Sequence, residues 1–547
     1  MASSLLTSNL VVASGTALSR LSGLGRVAVF SAVIGQTALA DAYTIGNETP
    51  NIIYELLIGG VLSATLVPLF TTYREHDDEE ATNVIVTVSL VALAALTAVA
   101  VVAAPLIFGL YTLSPAEGVD PQVLRDVGTT LTRVFLLQIF FYGATALANA
   151  ILQSRRRFFA ASWSPILPNL IIIATLLSLP DPGDGGWQLA DVLTDDRLRW
   201  TLGLGATAGI AAMAAVLIPA VAASGFRFHP SLQWRHPAVK RLVTLSGWTL
   251  GYVIANQVTV AVVRNLADPG SGDARAYFEA FTFFVLPHGL LAVSIATTFA
   301  PELATAVARK DRDGFNRQAA LGTRLVMLLT LPAGLLLFAL RRPVIGALLE
   351  HGNYTAADAA NASRALGGFA LGLGGFSVYL FVLRGFYAHQ DTRTPFIINA
   401  VQNVLNIVLA FVLVGRYGIL GLGLALAVSY LVCALWAMRV LSYKVPGYPV
   451  RAVVASAWPM LVAGVLAAET AWVLNRAVGG DTGSDAVIGV IVGGVAGLVV
   501  YAGALLAMRS PELNAVRQVI ARRGGTRRPA APAEPADDDP VVAGPGA

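Results

Sequence analysis

The chain has 547 residues, of which 56% are hydrophobic and 13% are charged, with a formal net charge of +4 and a mean hydropathy of +0.67. Soluble globular domains carry about 25% charged residues, so this composition excludes an ordinary soluble globular protein. Apolar stretches of about 20 residues, each long enough to cross a bilayer as a helix, recur along the whole chain. We therefore expect an all-α polytopic membrane protein.

Fourteen membrane-spanning helices are predicted, near residues 9–34, 50–73, 83–110, 122–153, 159–180, 200–224, 238–264, 276–304, 318–340, 362–388, 395–415, 418–440, 452–476 and 485–508. An even number of spans places both termini on one side of the membrane. Basic residues are about twice as frequent in the loops on that side, which predicts cytoplasmic termini in a cytoplasmic (inner) membrane. The Pro- and Ala-rich segment 511–547 is a predicted cytoplasmic tail, disordered from about residue 524.

An internal repeat is indicated by two pairs of similar segments. Pro68 in "SATLVPLFTTYRE" aligns with Pro301 in "ATTFAPELATAVAR", and Asn169 in "LPNLIIIATLL" aligns with Asn403 in "VQNVLNIVLAF". A repeat of six spans keeps its orientation, which is the parallel-repeat plan of several transporters with a substrate path between the halves. We expect an N-terminal lobe (1–228), a C-terminal lobe (229–446) in a parallel pseudo-two-fold repeat, and two extra C-terminal helices (447–510).

Two arginines, Arg20 and Arg26, lie well inside the first predicted span, "GTALSRLSGLGRVAVFSAVIG". A lipid-exposed arginine near the bilayer centre costs about 2.5–3.5 kcal/mol. Snorkelling of the side chain to an interface is one explanation, but a water-filled cavity between the lobes explains Arg20, near the middle of the span, better.

Further polar residues in predicted spans are candidates for the same cavity. Asp41 either pairs with one of the arginines or caps a helix start, and the sequence favours neither. Arg133, Arg264 and Arg384 are additional cationic candidates. Amides in membrane helices are more often interhelical hydrogen bonds, and the glycine series 203–209 and 367–375 indicate close helix packing.

Signatures of catalysis and of nucleotide binding are missing from the sequence. It has no P-loop, no HExxH, no Gly-x-Ser-x-Gly and no Cys/His cluster, and its only cysteine is Cys433. We therefore expect a transporter with no cofactor and no metal centre, driven by an ion gradient, by membrane potential or by the gradient of its substrate. Asp391 either helps to bind a coupling cation or caps the helix that follows it.

Three stretches together resemble the MurJ (MviN) family of lipid II flippases, in the multidrug/oligosaccharidyl-lipid/polysaccharide exporter (MOP) superfamily. They are "SRLSGLGRVAVFSAVIGQTALADAYTIGNETPN", "GGVLSATLVPLFTTY" and "RGFYAHQDTRTPF". The resemblance implies fourteen spans and a central cavity that binds the diphosphate and sugars of lipid II, the lipid-linked peptidoglycan precursor, for cell wall synthesis. By the same resemblance, the substrate-binding candidates in the cavity are Arg20, Arg26, Asp41, Asn51 and Glu55.

The sequence also departs from the proteobacterial pattern of that family. Val27 stands where an acidic residue is frequent, and Glu48 and Tyr54-Glu55 stand where basic residues are frequent. The cavity is therefore expected to be less cationic than in those relatives.

Two other functions remain open at this point. The first is a cation-coupled exporter of drugs or of another lipid-linked saccharide, and the second is a membrane scaffold that recruits wall-synthesis proteins through its tail. For the flippase the expected partners are lipid II and membrane lipid, with no nucleic acid.

Overall fold

The computed structural model describes residues 2–54, 62–183 and 185–510, without the side chains of 2–11, 13, 52–54, 62–65 and 241–253. The candidate Glu55 and the predicted tail from residue 511 lie outside the described residues. The described part forms twenty-two α-helices and one π-helical turn: α1 (Ala2–Ile34), α2 (Ala38–Tyr54), α3 (Leu62–Glu75), α4 (Glu79–Val102), α5 (Ala104–Leu110), α6 (Pro121–Leu136), α7 (Gln138–Ser154), α8 (Phe159–Trp163), α9 (Ile166–Leu177), α10 (Asp191–Thr194), α11 (Asp196–Ala223), α12 (Pro237–Leu266), α13 (Asp273–Pro287), the π-helical turn (His288–Ala292), α14 (Val293–Ala308), α15 (Arg312–Ala339), α16 (Arg341–Leu349), α17 (Ala356–Ala388), α18 (Arg393–Tyr417), α19 (Ile419–Lys444), α20 (Val450–Ala455), α21 (Ala457–Val478) and α22 (Gly483–Ala507).

Twelve helical segments in the described part of the chain are long and apolar enough to cross a membrane. They correspond to the predicted spans other than the second and the seventh, which fall on α2–α3 and on α12. The all-α polytopic membrane fold is therefore confirmed, while the count of fourteen spans stays a prediction.

Helix starts are fixed by side chains that accept the free N–H groups of a first turn. Asp78 accepts from Ala81 at the start of α4, and Asp311 accepts from Gly314 at the start of α15. These two turns lie 233 residues apart in the chain, which is also the separation of the aligned residues Pro68 and Pro301.

Other turns recur at the same spacing, each with one residue in the left-handed region. Asp77 and Lys310 have φ of 52° and 57°, and Arg156 and Gln390 both have φ of 57°. Because non-glycine residues seldom adopt positive φ, the recurrence of such residues 233 or 234 positions apart supports the predicted repeat.

Close packing around α17 explains one of the glycine series. A Cβ on Gly372 would lie 2.6 Å from Cα of Ala427, and one on Gly375 would lie 2.9 Å from Cα of Leu431, so both glycines let α19 approach closely. In the N-terminal lobe, Gly209 approaches Pro168 of α9 in the same way. The buried α17 is thereby held at the centre of the C-terminal lobe.

Candidate functional site

A cavity of about 330 Å³ lies between the two lobes. Its lining combines Glu48 and Asn51 of α2 with residues of α12, α13, α17, α18 and α19. The predicted candidates Asn51 and Arg264 both lie on its wall. The structure therefore brings part of the predicted set together at the boundary between the lobes.

The charged groups of this cavity form a pair. Arg264 makes a salt bridge to the Glu48 carboxylate, and its guanidinium stands 5.1 Å from the ring centroid of Tyr111. Because each charge of this pair is neutralised by the other, Arg264 is not a free cation in this structure.

A smaller cavity of about 30 Å³ adjoins it at Glu48 and Phe278, and Arg26 lies on its wall together with Arg275. A single water requires about 10–15 Å³, so this space has room for two or three waters and none for a diphosphate. None of the ion pairs in the described part of the chain involves Arg26. Among the described residues, Arg26 therefore has no carboxylate partner, and it lies next to water-sized space.

The other predicted arginine, Arg20, reaches across the lobe boundary to the π-helical turn. A Cβ on Gly289 would lie 2.6 Å from Nη2 of Arg20 and 2.7 Å from its Cζ. The turn also carries His288, whose Nδ1 lies 3.0 Å from Oγ of Ser377. Arg20 thus lies against a C-terminal-lobe backbone position where an added Cβ would displace its guanidinium.

Asp41 joins the lobes by capping a helix. Its carboxylate accepts backbone N–H groups of Gly270 and Gly272 at 2.9 Å and of Arg275 at 2.8 Å. These donors precede α13 or lie in its first turn, where negative charge is favourable. Of the two roles left open by the sequence, this geometry is that of a cap, and the cap belongs to a helix of the other lobe.

Next to this cap, the buried carboxylate of Glu279 accepts four hydrogen bonds. The donors are Ser31 Oγ at 2.7 Å, Gln36 Nε2 at 3.0 Å, Tyr354 OH at 2.7 Å and Arg275 Nε at 2.7 Å. Two of these donors come from the N-terminal lobe and two from the C-terminal lobe. We call Ser31, Gln36, Asp41, Arg275, Glu279 and Tyr354 the interlobe cluster.

The interlobe cluster closes one end of the molecule. It lies where α1 ends and α13 begins, and Phe30 stacks there under the Arg275 guanidinium at 4.0 Å. Hydrogen bonds to charged groups contribute about 1.5–3 kcal/mol each. The cluster therefore holds the two lobes together at this end.

Arg20 and Asp41 lie outside the described lining of both cavities, and three further candidates also lie away from them. Arg133 and Arg384 are exposed on α6 and α17. Asp391 pairs with Lys444 and accepts the backbone N–H of Thr394 at 3.0 Å. Partial burial raises the pKa of the Asp391 carboxyl, but these hydrogen bonds outweigh it and lower the pKa to about 2. This geometry is that of the capping alternative for Asp391.

Sequence reasoning missed Arg275 and Glu279, the central residues of the interlobe cluster. They are an oppositely charged pair four positions apart, a spacing that places both on one helix face. That pair at the start of the eighth predicted span was the available signal. What no sequence pattern reveals is that Ser31, Gln36 and Tyr354 meet the same carboxylate from distant segments.

Comparisons with known proteins place this geometry in a family. The family model described as "Lipid II flippase MurJ" matches residues 30–491. The chain is 27% identical over 436 residues to the "Probable lipid II flippase MurJ" of Vibrio cholerae, covering 78% of this chain and 80% of the relative. It is 26% identical over 427 residues to the "Lipid II flippase MurJ" of Burkholderia cenocepacia, covering 77% and 80% of the two chains.

Solved structures show the same fold at low identity. A structure titled "Lipid II flippase MurJ, inward closed conformation" superposes with a TM-score of 0.72 at 20% identity, covering 91% of this chain and 99% of the other. An inward-facing multidrug-resistance MATE transporter of the MOP superfamily superposes with a TM-score of 0.62 at 13% identity, covering 81% and 98%. The overall fold of this chain is thus shared with these two structures.

Proposed function

The chain belongs to the MurJ lipid II flippase family, and we propose that it carries lipid II from the inner to the outer leaflet of the cytoplasmic membrane. The observation that carries the proposal, beside the family match over residues 30–491, is the position of Arg26. This arginine carries a charge that no described ion pair neutralises, at a cavity between two lobes. Arginine binds phosphate oxygens in a bidentate fork, so an arriving diphosphate is a suitable partner.

Alternating access follows from the interlobe cluster. We propose cytoplasmic termini, which place this cluster at the outer end of the molecule. The present structure is then closed toward the outside, and the 30 Å³ next to Arg26 is too small for a diphosphate. Loading therefore requires the lobes to separate on the inner side, and release requires the interlobe cluster to open.

Membrane potential is a sufficient driving force in this scheme. Moving one charge across the membrane is worth about 2.3 kcal/mol per 100 mV. Two negative charges moved outward from a negative interior gain roughly 4–5 kcal/mol. This gain is comparable to breaking two of the charged hydrogen bonds that hold the interlobe cluster closed.

The lobe boundaries at residues 228 and 446 belong to the same proposal, supported by the recurring turns.

The scaffold role and its wall-synthesis partners depend on the tail, and a chain that ends at residue 523 tests them: a scaffold fails without the tail, whereas a flippase retains its activity. A cation-coupled drug exporter is the second candidate, because MATE transporters share the fold.

The experiment that tests the proposal is translocation of lipid II in vesicles containing the purified chain. We expect Arg26→Ala to abolish most of the translocation and Arg416→Ala, an exposed arginine on α18, to leave it unchanged. Full translocation by Arg26→Ala contradicts the proposal. Drug efflux without lipid II translocation by the wild-type chain assigns the second function instead.

A further inference from the structure

A cleft of about 410 Å³ lies at the end of the C-terminal lobe that is remote from the interlobe cluster. The helix α17 begins two residues after Tyr354 of that cluster and ends next to His389, which lines the cleft. A helix of 33 residues is about 50 Å long, so the cleft and the cluster lie at opposite ends of the molecule. With the cytoplasmic termini proposed above, the cleft opens on the cytoplasmic face.

The charged side chains of this cleft are mostly cations. Lys310, Arg312 and Lys444 line it together with one carboxylate, that of Asp311. The Asp311 carboxylate accepts a backbone N–H in the first turn of α15, and Lys444 pairs with Asp391. None of the ion pairs in the described part of the chain involves Lys310 or Arg312. Two cations of the cleft therefore have no carboxylate partner among the described residues.

The repeat shows what the corresponding place in the N-terminal lobe contains. With the offsets of 233 and 234 residues between the recurring turns, Glu79 corresponds to Arg312, and Arg155 corresponds to His389. In the N-terminal lobe, Nη2 of Arg155 donates to Oε1 of Glu79 at 2.9 Å, and its Nη1 donates to the carbonyl oxygen of Ser224 at 3.2 Å. An ion pair thus joins two turns at this end of the N-terminal lobe.

The C-terminal lobe cannot form that pair, because the charge of one partner is reversed. Arg312 stands at the position of Glu79, and Lys310 stands at the position of Asp77, so two acidic positions of the first repeat are basic in the second. His389 replaces Arg155 as the other partner. The C-terminal lobe therefore presents basic groups where its repeat partner brings a base and a carboxylate together, and an anion that enters the cleft supplies the missing negative charge.

Two of the basic groups are held at the cleft by the protein itself. Nε of Arg312 donates to the carbonyl oxygen of Pro446 at 2.6 Å. Nδ1 of His389 donates to the carbonyl oxygen of Gly385 at 2.9 Å, and the imidazole packs edge-to-face on Phe315 with ring centroids 4.8 Å apart. Because these side chains are already oriented, less conformational entropy is lost when an anion binds.

The chemistry of the cleft matches a phosphate group. A guanidinium binds phosphate oxygens in a bidentate fork, and a lysine ammonium adds a point charge. A phosphate monoester carries up to two negative charges, which equals the number of cations without a described carboxylate partner. Ligand pockets measure about 300–1,000 Å³, so 410 Å³ has room for a phosphate and the group that it is attached to.

We propose that this cleft is a phosphate-binding site on the cytoplasmic face of the C-terminal lobe, with Lys310, Arg312 and His389 as its ligand-binding residues. The phosphate takes the place that the Glu79 carboxylate has in the N-terminal lobe and joins the ends of α14, α15 and α17. A phosphomonoester lipid headgroup and free inorganic phosphate share this chemistry. The inference does not depend on which substrate the chain carries.

The test is the melting temperature of the full chain in phosphatidylcholine nanodiscs. One arm titrates inorganic phosphate at constant ionic strength, and the other replaces part of the phosphatidylcholine with phosphatidic acid. We expect the melting temperature of the wild-type chain to rise in at least one arm. Arg312→Ala and Lys310→Asn should each raise the midpoint of that titration by roughly tenfold or more, since each removes a charge-assisted hydrogen bond.

Arg309→Ala is the matched control, because Arg309 is also exposed and adjoins Lys310 but lies outside the described lining of the cleft. It should change the midpoint by less than about twofold. A double variant, Arg312→Glu with His389→Arg, rebuilds the pair that Glu79 and Arg155 form. This variant should lose the response to phosphate while its melting temperature without ligand stays at or above that of the wild-type chain.

The two arms separate the sources of the phosphate. A response to phosphatidic acid and not to inorganic phosphate assigns the cleft to a lipid headgroup, and the reverse assigns it to free phosphate. A wild-type chain that responds in neither arm overturns the site. Equal losses in Arg309→Ala and Arg312→Ala overturn it as well, because they indicate diffuse surface charge, and so does a full response in the double variant.

Discussion

Substitution of Gly289 tests whether the π-helical turn positions Arg20. The added Cβ of Gly289→Ala would lie 2.6 Å from Nη2 and 2.7 Å from Cζ of Arg20. Non-bonded carbon atoms prefer about 3.5–4.0 Å, so the guanidinium must move by roughly 1 Å. The turn need not unfold, because the guanidinium is the far end of a flexible side chain.

The resemblance predicts that Arg20 also donates to the diphosphate, and the magnitude follows from the hydrogen bond to the diphosphate that the displaced guanidinium would lose. A hydrogen bond to a charged group contributes about 1.5–3 kcal/mol, and 1.4 kcal/mol is tenfold in affinity. We therefore expect Gly289→Ala to weaken binding of undecaprenyl diphosphate by roughly 10- to 100-fold. The melting temperature should hold or rise, since alanine is favoured over glycine in helices by about 1 kcal/mol.

The assay is equilibrium binding in nanodiscs, with Gly494→Ala as the control because no atom lies within 4 Å of its added Cβ. Arg20→Ala sets the size of the effect that a full loss of the guanidinium produces. If Arg20→Ala weakens binding while Gly289→Ala does not, the turn does not position Arg20 and the reasoning is refuted.

Three further substitutions test the interlobe cluster, the Asp391–Lys444 pair and the packing of α17 against α19. Glu279→Gln removes the charge that holds the interlobe cluster, so spin labels on the two lobes should move apart at the outer end, and an unchanged distance distribution would contradict this. The pKa of Asp391 is lowered to about 2, so its bond to Lys444 contributes stability that is complete above about pH 4 and is lost as the pH falls toward 2. Melting curves should show no step from this pair between pH 5 and 8, and Asp391→Asn should lower the melting temperature equally across that range. Gly372→Ala places a Cβ 2.6 Å from Cα of Ala427, and such overpacking costs about 1–3 kcal/mol, which a lowered melting temperature would report.

Local features of the sequence predicted the helices well. Hydropathy alone placed twelve of the predicted spans on helices that the structure shows to be long and apolar enough for a membrane. The second predicted span falls on α2 and α3, which are separated by residues 55–61 outside the described part, and the seventh falls on α12.

The role of Asp41 shows where sequence reasoning ends. The sequence supported an ion pair with an arginine and a helix cap equally. The structure shows three backbone N–H donors from Gly270, Gly272 and Arg275, more than 200 residues away. A cap on a distant helix leaves no local pattern, since its donors are main-chain groups that every residue type has.

The sequence by itself determined the membrane fold, the repeat offset and the presence of two intramembrane arginines. These features depend on composition and on local periodicity, which are properties of neighbouring residues. Only the tertiary structure decided which arginine is neutralised: Arg264 is paired with Glu48, whereas no described ion pair involves Arg26. The physical reason is that charge pairing depends on distance in space, and the packing of two lobes sets that distance between residues far apart in the chain.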